Sequence, residues 1–422
     1  MAIGVFSTTA AATGNSGETL VTEALKEHYK PQRIKEMVYK NNPLLALMPK
    51  YESFGGENMP IPIIVSGPQR RSAVFSNGQD NSNASSVQQF LLTRVRDYSF
   101  ASITHEAIRA SAGNADAFVR YATMEVDGAV HALKRSMAVA MYRDGTGAIG
   151  TINGSPSGQT FTLTNPEDTA NFEVGMILTC FDGLTDTATD SRFGKPDSTD
   201  QESGDVTVSS VDRSAGTITV TGTITDMGDG DVFVQKGDLN AKISGLEAWC
   251  PRVVDSNNAA LFGVTRTTDV SRLGGNRYDG SALPIEEALI EGLSLAARNG
   301  GTPSHVMMHY KNYSQLEKAL GSKVQYDKVS SSDASVGFSS MKIHGPAGTV
   351  DVIPDVNCQP DVAWGLQLDT WSLNSLGAAP QILDLDGSNM LRESTADAYE
   401  VRCGFYGNVA CSAPGWNVRI AL

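Results

Sequence analysis

The sequence predicts an α+β fold built around one very long helix and interrupted by a small all-β insertion. Residues 114–142 carry an apolar stripe at steps of three and four without a proline. Residues 151–245 switch to short β-branched runs between turn residues, and after Gly245 helix and strand patterns alternate again. At 422 residues the chain exceeds one hydrophobic core, so several subdomains are expected.

Residues 1–50 read as an arm. Glu18–Tyr29 has the pattern of a short amphipathic helix, with Leu20 and Ala24 set apart from Lys26 and Glu27, and Pro31 ends it. A second short helix is expected around Ile34–Tyr39, and Asn41-Asn42-Pro43 punctuates the chain before the apolar run Leu44–Met48. The arm has apolar patches and no core of its own. Leu45, Leu47 and Met48 are therefore expected to lie on something else, a neighbouring subunit being one candidate.

Residues 51–100 read as a long β-hairpin. One strand is Glu57–Val65, where Pro60 and Pro62 favour an exposed edge. The return strand is Phe90–Phe100, with Phe90, Leu92, Tyr98 and Phe100 at a two-residue period. The polar, glycine-containing stretch between them is expected to project. Arg70 and Arg71 at its tip are placed to meet carboxylates of a neighbour, and Phe75 is a further contact candidate.

Asn114–Tyr142 is a helix about 40 Å long at 1.5 Å per residue, a strut more than twice the usual length. Residues 101–145 thus make one unit around this spine. Gly145, Gly147 and Gly150 match GxGxxG, but a helix precedes them and a β region follows, the reverse of a dinucleotide site. They are expected to hinge the chain into the insertion, residues 146–245. Its runs QTFTLT, MILTCF, DVTVSSV, GTITVTGTI and DVFVQ have the pattern of a small antiparallel barrel or sandwich. An acidic loop is expected over Asp182–Gly204, and Asp226–Asp231 resembles a hairpin turn more than a calcium loop.

Residues 246–389 return to α+β character. Pro284 opens a helix with the stripe Ile285, Leu289, Leu293 and Ala296, closed by Gly300-Gly301. Residues 304–310 form a strand and Asn312–Leu320 a short helix, and further strands follow near Met341–Ile343, Thr349–Ile353 and Trp364–Leu368. Residues 390–422 end in two strands around a turn.

The charge excludes some functions. Residues 1–150 hold 15 basic and 13 acidic side chains, while residues 151–247 hold 5 and 16, within a chain of net charge −14. Counterion-release binding of DNA needs Lys/Arg clusters that are missing here. The five cysteines (Cys180, Cys250, Cys358, Cys403 and Cys411) never stand as CxxC and are expected to be buried thiols. His305 and His309 fall on a strand, too far apart for one ion. No catalytic constellation, metal set or cofactor motif emerges, and neither a signal nor a membrane span is expected.

The order of elements, with NNPLLALMPKYESFGGENMPIPI before the hairpin, MYRDGTGAIG after the long helix, PEDTANFEVGMIL in the insertion and GLEAWC before the return, resembles the major capsid proteins of tailed phages. That is the Hong Kong ninety-seven-type capsid fold, which encapsulins share. The resemblance implies a spine helix with the peripheral domain over 101–145 and 390–422, and an axial domain over 246–389. It implies a non-enzymatic subunit, without cofactor or metal, that self-assembles into hexamers and pentamers of an icosahedral virion shell in the bacterial host cytoplasm. The implied partners are identical copies, a separate scaffolding protein, a portal, cement proteins and enclosed double-stranded DNA. Some relatives weld their shells with isopeptide bonds from a lysine in the extended loop, and residues 51–98 contain none, so a non-covalent shell is expected. An encapsulin-like compartment shell is the alternative, and a β-rich surface binding protein the second.

Overall fold

The structure, a computed structural model, describes residues 42–68, 70–81, 84–106, 115–183, 195–224, 226–254, 259–320, 326–330, 337–346, 348–384 and 390–422. The helices expected at Glu18–Tyr29 and Ile34–Tyr39 lie outside them.

The run before the hairpin forms the short helix Pro43–Leu47. Strands β1 (Asn58–Ser66) and β2 (Ser86–Thr93) then pair antiparallel, with Ile61 opposite Phe90 and Ile64 opposite Val87. The return strand is shorter than its alternation suggested. The chain breaks at Arg94, whose guanidinium bonds the Phe54 carbonyl at 2.7 Å and lies over the Phe54 ring. Beyond it, β3 (Val95–Thr104) joins a different sheet. A two-residue period persists through both strands, so alternation alone could not locate the change of partner.

Helix α1 (Ala115–Ala140) has 26 residues and spans about 39 Å. Its stripe, Val126, Ala129, Val130, Leu133 and Met137, is no more than 5% exposed. It packs on β3 and on the hairpin's inner residues within one large core.

The insertion is one seven-stranded antiparallel sheet. Its strands are β4 (Ala148–Thr151), β5 (Thr160–Thr162), β6 (Ile177–Gly183), β7 (Pro196–Gln201), β8 (Ser203–Asp212), β9 (Thr217–Ile224) and β10 (Val232–Gln235). They run β4-β10-β6-β8-β9-β5, with β7 beside β6. Phe233 meets Phe161 and Phe172 edge-on at 5.6 and 5.9 Å, an aromatic centre for a separate small core. Two expectations change here. Part of the acidic stretch forms β7 instead of loop, and Asp226–Asp231 joins strands that do not pair with each other, so it is a crossover and not a hairpin turn.

The third sheet comprises β11 (Asn276–Asp279), β12 (His305–Met308), β13 (Tyr326–Ser330), β14 (Gly337–Gly345), β15 (Gly348–Pro354) and β16 (Val362–Leu366), completed by a strand from the C-terminus. Helices α2 (Ile285–Arg298) and α3 (Tyr310–Leu320) cover it. The α2 stripe is buried as its spacing required: Leu289, Leu293 and Ala296 are at most 3% exposed.

The last strands divide between sheets. β17 (Trp371–Ser375) and β18 (Ala398–Cys411) pair with each other, and β18 also pairs with β3, while β19 (Val418–Ala421) inserts between β11 and β16. Residues 246–389 and 390–422 thus exchange strands, which corrects the boundary drawn at 389. The cause is the corner at Asn417, whose side-chain oxygen accepts from the Gln367 amide and the Trp371 indole, both at 2.8 Å. That pins the chain where it crosses between sheets. All five cysteines are buried free thiols.

Candidate assembly surface

The hairpin has two unlike faces. Ile61, Ile63, Val65, Phe90 and Leu92 face inward and are at most 8% exposed, with Phe90 edge-on to Trp249 at 4.9 Å. On the other face Ile64 is 62% exposed, its cross-strand partner Val87 58% and Leu91 40%. Pro60 and Pro62 share this outer face and are exposed too. Leu91 donates its amide to the Phe262 carbonyl, away from β1, so Pro60 opposite it and Pro62 two residues on sit where an N–H would point out of the hairpin. Proline costs no ladder bond there, and the edge offers few donors to an added strand.

The tip carries the short helix Phe75–Asp80, which buries none of its residues. Phe75 is 81% exposed and Val74 53%. Arg70 and Arg71 are exposed beside it, and the Asn81 amide ties the tip by bonding the Arg71 carbonyl at 3.4 Å. The expected contact candidates of the arm fare differently. Leu45 and Met48 are each 1% exposed within this chain's own core, and Leu47 is partly buried against it. Their apolar surface is already covered at home, so they offer little to a neighbour. Reading the run as lacking its own core missed that the hairpin root and the spine supply one.

A second apolar outcrop lies on the sheet around β3 and β18. Tyr98 and Phe100 stack with ring centroids 6.3 Å apart, Tyr406 meets Tyr98 edge-on at 5.9 Å, and Phe100 is 58% exposed. Their alternation was legible in the sequence, but it pointed to the hairpin.

The neck of the insertion is pinned. Gly145 and Gly147 have φ of 91° and 88°, and a side chain on Gly147 would lie 2.6 Å from the Asp238 carbonyl oxygen. Gly150 lies inside β4 against the Phe172 ring, so it packs the insertion's core instead of hinging it. Asn240 donates to the Thr146 carbonyl at 2.9 Å and Leu246 to that of Met141 at 2.8 Å, binding the two crossing chains. The Lys242 ammonium sits 2.8 Å from carboxylates of both Asp97 and Asp238. The Arg143 guanidinium meets Asp168 at 2.8 Å across the boundary between spine and insertion. Burial pushes the carboxyl pKa of Asp168 and Asp238 up, and the adjacent Arg143 and Lys242 cations hold it back.

Among the described residues no group of three or more His, Cys, Asp or Glu side chains is placed to hold a metal ion. The His305 ring bonds the Ser304 hydroxyl at 2.8 Å, His309 accepts from the Lys311 amide, and burial lowers the pKa of both. Burial pushes the Cys180 thiol pKa up and so keeps the thiol protonated.

Residues 230–388, which include α2, α3 and most of the third sheet, match the family model described as SU10 major capsid protein. The similarity to a major capsid protein therefore covers this segment of the chain. Solved structures similar to it include the cyanophage A-1(L) capsid asymmetric unit, at 12% identity and a TM-score of 0.46, covering 90% of this chain and 92% of that one. A Gordonia phage Cozz chain has 9% identity and a TM-score of 0.41, covering 90% and 85%. The virus-like particle from Pyrococcus furiosus has 9% identity and a TM-score of 0.35, covering 93% and 99%. No curated protein sequence matches. The exposed hairpin face and tip are the surfaces of first interest, because they are apolar and left uncovered among the described residues.

Proposed function

We propose that this chain is the shell subunit of a phage head: copies assemble into hexamers and pentamers, and these close into an icosahedral particle around double-stranded DNA. The observation that carries the reading is the hairpin with one face sealed into its own core and the other apolar face left open, ending in an exposed Phe75 beside two cations. Water-exposed apolar surface of this kind marks a protein–protein contact. Arg70 and Arg71 add a polar, charge-selective rim to it.

The shell is non-covalent, since residues 51–98 offer no lysine for an isopeptide bond. A separate scaffolding protein sets its size, a portal occupies one vertex, and cement proteins are further partners. The insertion and the residues beside it, 151–247, carry 16 acidic against 5 basic side chains. We place the insertion outside or between capsomers, because facing packaged DNA would add repulsion with nothing to offset it. The work of the protein is structural, in the virion, after assembly in the host cytoplasm.

Electron microscopy of the overexpressed chain with its scaffold tests this. Closed particles of uniform size are expected, with a single monomer band on a boiled denaturing gel. A ladder of subunits would refute the non-covalent lattice, uniform shells without scaffold would refute the separate scaffold, and a lumenal insertion would refute its placement.

A further inference from the structure

A second surface, beside hairpin strand β1, has the chemistry of an anchor. A cleft of about 720 Å³ opens between Pro62–Ile64 of β1 and the C-terminal turn Pro414–Trp416. Ile64 walls one side at 62% exposure and Trp416 the other at 41%. Gly300 and Gly301 make room for the tryptophan: a side chain on Gly301 would lie 2.5 Å from the Trp416 carbonyl oxygen.

Charge gives the cleft its sign. Among the described residues lining it, Arg272 and Arg298 are cations and Asp269 is the one carboxylate. Asp269 is already occupied: it accepts from the Arg272 amide at 3.0 Å and faces the same guanidinium at 3.7 Å. Arg272 also donates to the Val65 carbonyl, fastening the cleft to the hairpin. Arg298 is exposed at the end of α2. The cleft is therefore cationic and aromatic in a chain of net charge −14. Strand addition along its β1 wall is disfavoured by Pro60 and Pro62, so an occupant must engage side chains.

We infer that this cleft receives the acidic insertion of a second copy, with Trp416 and Arg298 as the anchors; the inference rests on the shell-subunit reading. Two copies repel on average, so a stable contact must join unlike surfaces, and the insertion is the chain's most acidic region. A cationic cleft meeting an acidic insertion is a head-to-tail contact, the type that closes rings. Tryptophan and arginine at the centre of an interface are the residues whose loss is felt most.

The test uses the full chain with its scaffold, each variant at equal concentration, and measures the assembled fraction by sedimentation. Circular dichroism and thermal melting establish that each variant is folded. Trp416→Ala and Arg298→Glu are each expected to lower assembly at least about tenfold, while Arg298→Lys stays within about threefold. The double variant Asp200→Asn, Asp226→Asn, on the insertion, is expected to show a loss comparable to Arg298→Glu. If Trp416→Ala fails to fold, the exposed Arg298 variants carry the test. Wild-type assembly by Arg298→Glu overturns the inference, as does a loss there with none in the insertion variant. A wild-type chain that remains monomeric overturns the shell reading itself and this inference with it.

Discussion

At the scale of single residues, conformation and burial set the sharpest expectations. Gly147 holds φ at 88° with the Asp238 carbonyl oxygen 2.6 Å from where a side chain would begin. Gly147→Ala should cost about 1–3 kcal/mol, read as a lower denaturant midpoint, because strain and a clash add. Asp355 is buried, accepting from the Tyr142 hydroxyl at 2.8 Å and from the Asn357 amide at 2.9 Å, and burial raises its pKa against those bonds. Burial likewise raises Glu247 and Asp168. A raised carboxyl binds its proton more tightly in the native state than in the unfolded chain. Its contribution therefore favours folding as pH falls below the raised value, and is lost as pH rises through it. Asp355→Asn should flatten that dependence, so in urea titrations its midpoint should change less than the wild type's as pH rises from the ordinary carboxylate range to neutrality. A steeper dependence in the variant would contradict the assignment. Such residues were only partly legible in the sequence. The glycines at the neck stood out as a motif, but their geometry depends on Asp238 and Lys242, about ninety residues along the chain, and the motif holds no sign of them.

At the scale of elements, periodicity was informative wherever one face met a core. The stripes of α1 and α2 and the insertion's β-branched runs all became the elements they described, because burial on one side enforces the pattern. Partner choice was not legible. The alternation from Phe90 to Phe100 continues through Arg94, yet the strands on either side belong to different sheets. The final strands part for the same kind of reason, at a corner fixed by Asn417 contacts that are remote in sequence. The site was half legible: the tip residues Phe75, Arg70 and Arg71 are exposed as their polar setting suggested, whereas Leu45 and Met48 were claimed by a core formed from later residues. Phe75→Ala removes a side chain that the described residues leave 81% exposed, so stability should change by less than about 0.5 kcal/mol and melting by less than about 2 °C. Each copy–copy contact should weaken by about 1–3 kcal/mol, seen as a higher concentration threshold for assembly. The clamp between spine and insertion behaves in the opposite way. Asp168→Ala leaves Arg143 without its carboxylate in a buried setting and should lower stability by about 3–5 kcal/mol, measured by denaturant unfolding. A loss below 1 kcal/mol would show that water or Glu247 satisfies the guanidinium equally well.

At the scale of the whole molecule, the account is one of incomplete cover. The chain seals the run Leu44–Met48, the inner hairpin face and the spine into a single large core, and gives the insertion a core of its own. Left open among the described residues are a hairpin stripe from Leu91 to Val87, an aromatic tip, and a tryptophan-walled cleft beside Pro62–Ile64 of β1. These lie along the hairpin and the body beside it, while the acidic charge concentrates in the insertion, so like copies present unlike surfaces to each other. Contacts between the charged surfaces should weaken as salt rises, whereas those made by the apolar stripe should not, which separates the two contributions in assembly measured from low to high salt. The most direct measurement is a density map of assembled particles in which side chains are resolved. The outer hairpin face at Ile64 and Val87, and the Phe75 ring, should each lie against protein from a neighbouring copy. A map that leaves them in solvent, or a preparation that yields monomers alone at micromolar concentration, would contradict the account.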